Sequence, residues 1–395
     1  GHVAERFADH ELASDALYQQ AVALRRGGQA DDATTKLRRY LKQHPDGEHA
    51  TRAQYLSGAA LAENGKHDAA INMLQPLAEE KTSRTDAVLF DLAWSYRRAD
   101  KPDAAEKTIR DLLDQFPDSD LAPDARLELG ELLYDREAYD ASVKQLTDAM
   151  NSDDLDAAAR PAALYRLAWA YKKQDKHLEA AEAFQRFADV HEQHALRPSA
   201  LYQAGETFAA GGKRENARKA FAELVDAHKG SDLIPTGLIR YGQVLNELEA
   251  YDHAQQAFDR YLQQHEDGEY AYLAEFGIGW SLEQRRQYDQ ARQWYQRVTE
   301  DHNGPTAARA QMQIGETYFA EGKHEAAIRE LVSVDIVYDA PRWASLALYE
   351  AGHAAEAAKQ PGEARQFYKE VIDKYPDTTA ADDAKSRLRK LADAR

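Results

Sequence analysis

The stretch GQVLNELEAYDHAQQAFDRY, residues 242–261, decides the fold. Gly242 stands inside an apolar run, and Ala254 follows twelve residues later with Phe258 and Tyr261 on its own helical face. The first small residue recurs at Ala21, Gly58, Ala93, Gly130, Ala168, Gly205, Gly242, Gly279, Gly315 and Gly352. The second recurs at Ala33, Ala70, Ala105, Ser142, Ala180, Ala217, Ala254, Ala291, Ala327 and Ala364. The pattern predicts ten helical hairpins, each with a first helix A and a second helix B.

The spacing of these residues predicts where the turns lie. The two small residues are twelve apart in every unit, whereas successive units are 35–38 residues apart. A constant spacing indicates a turn of one length between helices A and B, so the variation falls in the loops between hairpins. Seven of the ten helix A positions are glycine, although glycine costs about 1 kcal/mol in a helix interior. We therefore expect a neighbouring helix to approach closely at these positions.

Two stretches carry a resemblance to a known family. The sequence YDHA at 251–254 with Phe258, and YDQA at 288–291 with Tyr295, resemble helix B of the tetratricopeptide repeat family. The resemblance implies an all-α fold, a right-handed superhelical solenoid of antiparallel helix pairs. About ten repeats then span residues 14–380. Residues 1–13 are expected to be an N-terminal lead-in whose first residues look like an expression-vector remnant, and residues 381–395 a C-terminal capping helix.

Composition and motifs exclude several classes of protein. The chain carries 50 Lys and Arg against 68 Asp and Glu, a net charge of −18, which argues against a nucleic-acid partner. It has no cysteine, and no apolar run approaches the about 18 residues that a membrane span needs, so direct membrane insertion is not expected. It lacks a glycine-rich phosphate loop, a nucleophile elbow and a metal-binding helix motif. The sequence predicts a protein that is not an enzyme and has no cofactor, metal or catalytic residue.

The sequence YPDT at 375–378 is similar in style to linkers of bacterial cell-envelope members of the family. The Tol–Pal accessory protein and an outer-membrane assembly lipoprotein are such members. This similarity implies a location in the periplasm or cell envelope, with the cytoplasm as the alternative.

The predicted binding site is the face of helix A opposite its packed neighbours. Among the first five units, four carry an aromatic residue three before the small residue, two carry tryptophan one after it, and three carry a basic pair four and five after it. The predicted ligand-contacting residues are Tyr18, Arg25, Arg26, Tyr55, Phe90, Trp94, Arg97, Arg98, Tyr165, Trp169, Lys172 and Lys173. We expect a concave groove in which a protein or peptide segment places apolar side chains on the aromatic residues and acidic groups on the basic ones. In the last five units the charged residues of this face are five glutamates and one basic residue, Arg309, which lies six residues before its small residue.

Other interpretations of these residues stay open. The aromatic column is also compatible with framework between adjacent A helices, and the basic pairs with solvated surface charge. Two further functions fit the same pattern: a self-assembling structural solenoid that forms homo-oligomers, and a cell-wall glycan-binding module whose aromatic rings stack on sugars.

Overall fold

The computed structural model describes residues 13–80, 84–228, 230–266 and 268–393, and every regular element in these ranges is an α-helix. The A helices are α1 (Ala13–Arg26), α3 (Ala50–Glu63), α5 (Thr85–Arg98), α7 (Ala122–Asp135), α9 (Arg160–Lys173), α11 (Arg197–Ala210), α13 (Ile234–Glu247), α15 (Ala271–Gln284), α17 (Pro305–Ala320) and α19 (Pro341–Ala357). The B helices are α2 (Ala30–Gln43), α4 (His67–Glu79), α6 (Pro102–Gln115), α8 (Tyr139–Met150), α10 (His177–Val190), α12 (Arg214–Ala227), α14 (Tyr251–Gln264), α16 (Tyr288–Asp301), α18 (His324–Val337) and α20 (Pro361–Lys374). The last helix, α21, spans Thr379–Asp393. Apart from Ala13, the predicted lead-in lies outside the described residues.

Each hairpin closes through a turn of three residues, as between Glu247 at the end of α13 and Tyr251 at the start of α14. The middle turn residue has a positive φ in all ten hairpins and is glycine in four of them. The third turn residue donates its N–H to a helix A carbonyl five residues earlier, as Lys66 does to Leu61 at 2.9 Å. This is the hydrogen bond of a Schellman C-cap. The constant spacing of twelve therefore follows from a capping motif that has one length.

The small residues mark where helices A and B of one hairpin touch. A β-carbon on Gly242 would lie 2.6 Å from the ring of Phe258, and one on Gly58 would lie 2.5 Å from Leu74. The same relation to the residue sixteen positions later holds for Gly130, Gly205, Gly279, Gly315 and Gly352. The second small residue is fully buried in every hairpin. Where it is Ser142, its hydroxyl donates to the Gly130 carbonyl oxygen at 2.7 Å. The expected close approach is confirmed.

The described helices form two compact units, α1–α10 up to residue 191 and α11–α21 from residue 192 onward. Within each unit every helix packs against the next, and several A helices also contact the following A helix, as α13 does α15 and α17 does α19. Among the described residues, consecutive B helices make no contact of comparable extent. The A helices therefore lie on the inner side of each stack. The predicted all-α solenoid of antiparallel helix pairs is confirmed.

The C-terminal helix α21 covers the last hairpin. It packs on α19 and α20, and Leu388 and Leu391 lie half-buried against the core of the second unit. Arg365 of α20 donates to the Leu391 carbonyl oxygen at 3.3 Å. The predicted capping helix is thus present, and it begins at Thr379 rather than at residue 381.

Candidate binding site

Tyr18 lies in the core of the first hairpin. Its side chain is 2% exposed, and its ring stacks on His49 with 4.4 Å between ring centroids and lies 6.0 Å from Tyr40. The expectation that Tyr18 faces a groove is wrong, because α2 and the start of the next hairpin cover it. A position three residues before the small residue points toward helix B as well as toward the inner face.

The other predicted aromatic residues are half-buried and join neighbouring helices. Tyr165 of α9 packs on Phe184 and Phe187 of α10, with 5.6 and 5.2 Å between ring centroids. Phe90 of α5 packs against the core of the first unit. Tyr55 of α3 is hydrogen-bonded to the carboxyl group of Asp91 on α5, and its burial, together with that carboxyl group, raises the pKa of Tyr55. Burial also raises the pKa of Asp91. A ligand-contacting role for these partly exposed rings stays a prediction.

Two tryptophans pair with a cation on their own helix. The Arg98 guanidinium lies 5.2 Å from the centre of the Trp94 ring on α5, and the Lys172 ammonium lies 4.9 Å from the Trp169 ring on α9. Trp94 also packs against the core of the preceding hairpin. Both tryptophans are half-buried. The structure thus brings together the aromatic and basic residues that the sequence placed one turn apart.

The predicted basic pairs divide into paired and exposed members. Arg25 of α1 binds Glu63 of α3 at 2.6 Å, and Arg97 of α5 binds Glu131 of α7 at 3.1 Å and also Glu128. Each of these pairs joins one A helix to the next. Their charge is therefore partly neutralised within the solenoid. Of the remaining members, Arg26 on α1, Arg98 on α5 and Lys173 on α9 are exposed, whereas Lys172 on α9 is half-buried.

A cavity of ≈ 380 Å³ lies beside these residues in the first unit. Arg97 and Arg98 of α5 line it together with Leu127, Glu128 and Glu131 of α7. The exposed Arg98 thus lines this cavity and also lies over the Trp94 ring.

A larger cavity of ≈ 500 Å³ opens on the A-helix face of the second unit. Its apolar wall includes Phe276 and Trp280 of α15 and Trp343 of α19, and Arg309 of α17 stands among them. The Arg309 guanidinium carbon lies 4.6, 5.7 and 5.3 Å from the centres of these three rings. Within the described part of the chain Arg309 makes no ion pair or hydrogen bond through its guanidinium. Burial lowers the pKa of Arg309.

Acidic residues lie along the same inner face of the second unit. Glu283 of α15 accepts hydrogen bonds from the Tyr295 hydroxyl at 2.6 Å and from Gln313 of α17 at 3.1 Å. Burial raises the pKa of Glu283. Burial, with the nearby charges of Glu283 and Glu350, raises the pKa of Glu316 to about 7.

The cavity of the second unit was not predicted from the sequence. Trp343 was missed because it lies in the first turn of α19, which is 17 residues long, outside the positions that repeat. The sequence does contain a spacing that could have predicted how two of the acidic residues are bound. Glu283 lies four residues after its small residue and Tyr295 sixteen after it, and Glu356 and Tyr368 repeat this spacing and bond in the same way.

The described residues contain no cluster of three or more His, Asp or Glu side chains that would suit a metal ion. None of the described helices is both long and apolar enough to cross a membrane.

The fold and the inner-face site define a helical-hairpin repeat protein. Profiles described as tetratricopeptide repeat match residues 15–47, 90–150, 162–194, 199–231, 240–305, 276–334 and 346–378. The chain belongs to the tetratricopeptide repeat family. Repeats of this family generally mediate protein–protein interactions, and scaffolds built from them are typically non-catalytic.

One curated relative is the outer membrane protein assembly factor BamD of Xylella fastidiosa (strain 9a5c), 24% identical over 149 residues. The match covers 33% of this chain and 51% of the relative, so the chain spans about half the length of that protein. A solved tetratricopeptide repeat protein from Parabacteroides merdae ATCC 43184 is 17% identical with a TM-score of 0.45, covering 68% of this chain and 98% of that chain. A chain in the structure of Naa15/Naa10 bound to HypK-THB is 14% identical in sequence with a TM-score of 0.44, and the match covers 92% of this chain and 58% of that chain.

Proposed function

We propose that this protein is a non-catalytic scaffold that binds a protein segment along the A-helix face of its first unit. One observation carries the proposal: an aromatic ring, an exposed cation and a cavity occur together on α5. Arg98 lies over Trp94 and lines the ≈ 380 Å³ cavity, where it neighbours Leu127. Tryptophan and arginine are the residues that most often dominate binding energy at protein interfaces.

The site favours a segment with apolar side chains and acidic groups. Trp94 and Trp169 offer partly exposed ring surface, and Arg26, Arg98 and Lys173 offer exposed positive charge. Carboxylate groups on the partner would form charge-assisted hydrogen bonds with these cations. Arg25 and Arg97 contribute less to such binding, because they already form ion pairs with Glu63 and Glu131.

The proposed setting is an assembly in the bacterial cell envelope. The observation behind it is the partial similarity to a protein named as an outer membrane assembly factor, together with the YPDT linker at 375–378. Fractionation of the source cells, followed by detection of the chain in periplasmic, membrane and cytoplasmic fractions, tests this setting. Recovery from the cytoplasm alone contradicts it.

Substitution of the two tryptophans tests the binding surface. Trp94→Ala combined with Trp169→Ala is expected to reduce capture of the partner, identified by cross-linking and mass spectrometry, at least about tenfold. Trp294→Ala is the matched control, because Trp294 is also half-buried under an arginine, Arg297 at 4.5 Å, but lies on helix B α16. Unchanged capture by a double variant whose circular dichroism is unchanged refutes the site.

Two measurements separate this proposal from the alternatives that the sequence raised. Sedimentation at several protein concentrations detects a self-assembling solenoid, since its mass rises with concentration. Binding to purified peptidoglycan detects a glycan-binding module, and the tryptophan double variant shows whether the same face is used.

A further inference from the structure

We propose a second binding site, on the A-helix face of the second unit, for a polypeptide segment that carries an acidic side chain beside a large apolar one and a basic side chain about three residues away. The acidic group binds Arg309, the apolar side chain enters the ≈ 500 Å³ cavity, and the basic group meets Glu316 and Glu350. This site lies on helices α13–α19 and is separate from the tryptophan surface of the first unit.

Arg309 is the feature that assigns an acidic group to the cavity. Most arginines on the inner face bind a carboxylate of an adjacent A helix, as Arg240 of α13 does Glu206 and Arg166 of α9 does Glu131. Arg309 is half-buried among three aromatic rings, and the described residues place no carboxylate within ion-pair distance of it. Ring contacts stabilise the cation but satisfy none of its five N–H donors. A carboxylate accepts two of these donors at once.

The cavity wall assigns the apolar side chain. Phe276, Trp280, Trp343 and Leu273 surround a volume of ≈ 500 Å³ that is open to the inner face. Three of its polar lining residues are already engaged: Asn246 donates to the Gly277 carbonyl oxygen at 3.2 Å, Gln243 accepts from Arg240 at 2.5 Å, and Glu247 binds Arg214 at 2.8 Å. A large apolar side chain therefore enters without breaking a hydrogen bond of the wall, and it removes aromatic surface from water.

Two glutamates assign the basic group. Glu316 lies seven residues after Arg309 on α17, about 10 Å along the helix and on the same face. Glu350 stands in the same relation to Trp343 on α19. Burial raises the pKa of Glu316, and the negative charges of Glu283 and Glu350 raise it further. A cation between these carboxyl groups relieves their repulsion. Because an extended chain advances about 3.3 Å per residue, the acidic and basic side chains of the segment are about three residues apart.

Selection from a peptide library tests the proposal. Random octapeptides are inserted within the sequence of a phage coat protein, so that none of them has a free carboxyl terminus. Phage that bind the full chain are then selected. We expect clones in which Asp or Glu adjoins Trp, Phe or Leu. Synthetic peptides from these clones, with both ends blocked, should bind R309Q at least about tenfold more weakly than the wild type.

Two variants serve as controls for charge and position. R342Q removes one positive charge from an exposed residue whose guanidinium lies 5.0 Å from the Trp343 ring but which does not line the cavity, and it should change binding less than twofold. E316Q should weaken binding only of clones that carry a basic residue. If R309Q does not fold, R309K replaces it, since lysine keeps the charge but cannot bind a carboxylate with two parallel hydrogen bonds.

The outcomes separate this proposal from that for the first unit. Clones that bind R309Q normally but are lost with the Trp94 and Trp169 double variant belong to the first unit. The proposal is overturned if every enriched clone belongs to the first unit by this criterion, or if no clone is enriched. It is also overturned if the clones that bind R309Q more weakly than the wild type lack an acidic residue. Enrichment only from a library displayed with free carboxyl termini also overturns it, because the ligand would then be a chain terminus.

Discussion

Gly242→Ala tests the packing on which the solenoid depends. Alanine is favoured over glycine in a helix interior by about 1 kcal/mol, so the substitution alone would stabilise α13. The added β-carbon would lie 2.6 Å from the fully buried ring of Phe258, whereas ordinary contacts are 3.4–4 Å. Gly277 of the next hairpin lies close to the same ring, since a β-carbon on Gly277 would be only 2.4 Å from it, and this restricts the movement of the ring. Overpacking of this kind costs about 1–3 kcal/mol.

We expect a net loss of about 1–2 kcal/mol in the free energy of unfolding for Gly242→Ala, measured by urea denaturation. Hydrogen exchange of α13 and α14 gives a local measurement, which matters because repeat arrays do not always unfold in one step. Gly362→Ala is the control: this glycine lies in α20 with no atom within 4 Å of a β-carbon, and its replacement should stabilise by up to about 1 kcal/mol. Gly242→Ala with Phe258→Leu should recover part of the loss. If Gly242→Ala is as stable as Gly362→Ala, the close-approach explanation of the repeated glycines is refuted.

Three further predictions follow from buried or strained groups. The pKa of Glu316 is raised to about 7 from 4.5, so its contribution to stability is present below pH 4.5 and is lost as the pH rises through 7. E316Q should therefore be more stable than the wild type at about pH 8, by about 1–3 kcal/mol, with a flatter pH dependence in urea titrations; equal stability at about pH 8 contradicts this. Tyr295→Phe removes a hydrogen-bond donor from buried Glu283 and should destabilise the chain by about 1–3 kcal/mol in the same assay; no loss would show that water replaces the hydroxyl. Arg286 has a φ of 60° in its turn, so Arg286→Gly should raise the thermal midpoint, with a gain of up to about 1 kcal/mol; a lowered midpoint would count against strain in the turn.

The hairpin repeat could be predicted because the residues that pack helix A on helix B lie close together in the sequence. Gly242, Ala254 and Phe258 lie within seventeen residues, and the turn between them has one length. The prediction for Tyr18 was wrong because helical periodicity does not show which neighbouring elements cover a given side of a helix. Periodicity places Tyr18 on one side of α1, but the crossing of α2 and the position of His49 decide that this side is buried. Trp343 was missed because it does not recur in the repeat.

The sequence by itself determined the ten hairpins, the turn between their helices, the close contact of helix A with helix B, and the capping helix, since these depend on residues near one another in the chain. Only the tertiary structure decided which inner-face charges are neutralised. Arg25 binds Glu63, 38 residues later in the chain, and Arg97 binds Glu128, 31 residues later. Such pairs depend on the relative orientation of successive A helices. The same geometry places Arg309 among aromatic rings rather than beside a carboxylate. Coulomb attraction depends on distance in space, and spacing along the chain does not fix that distance.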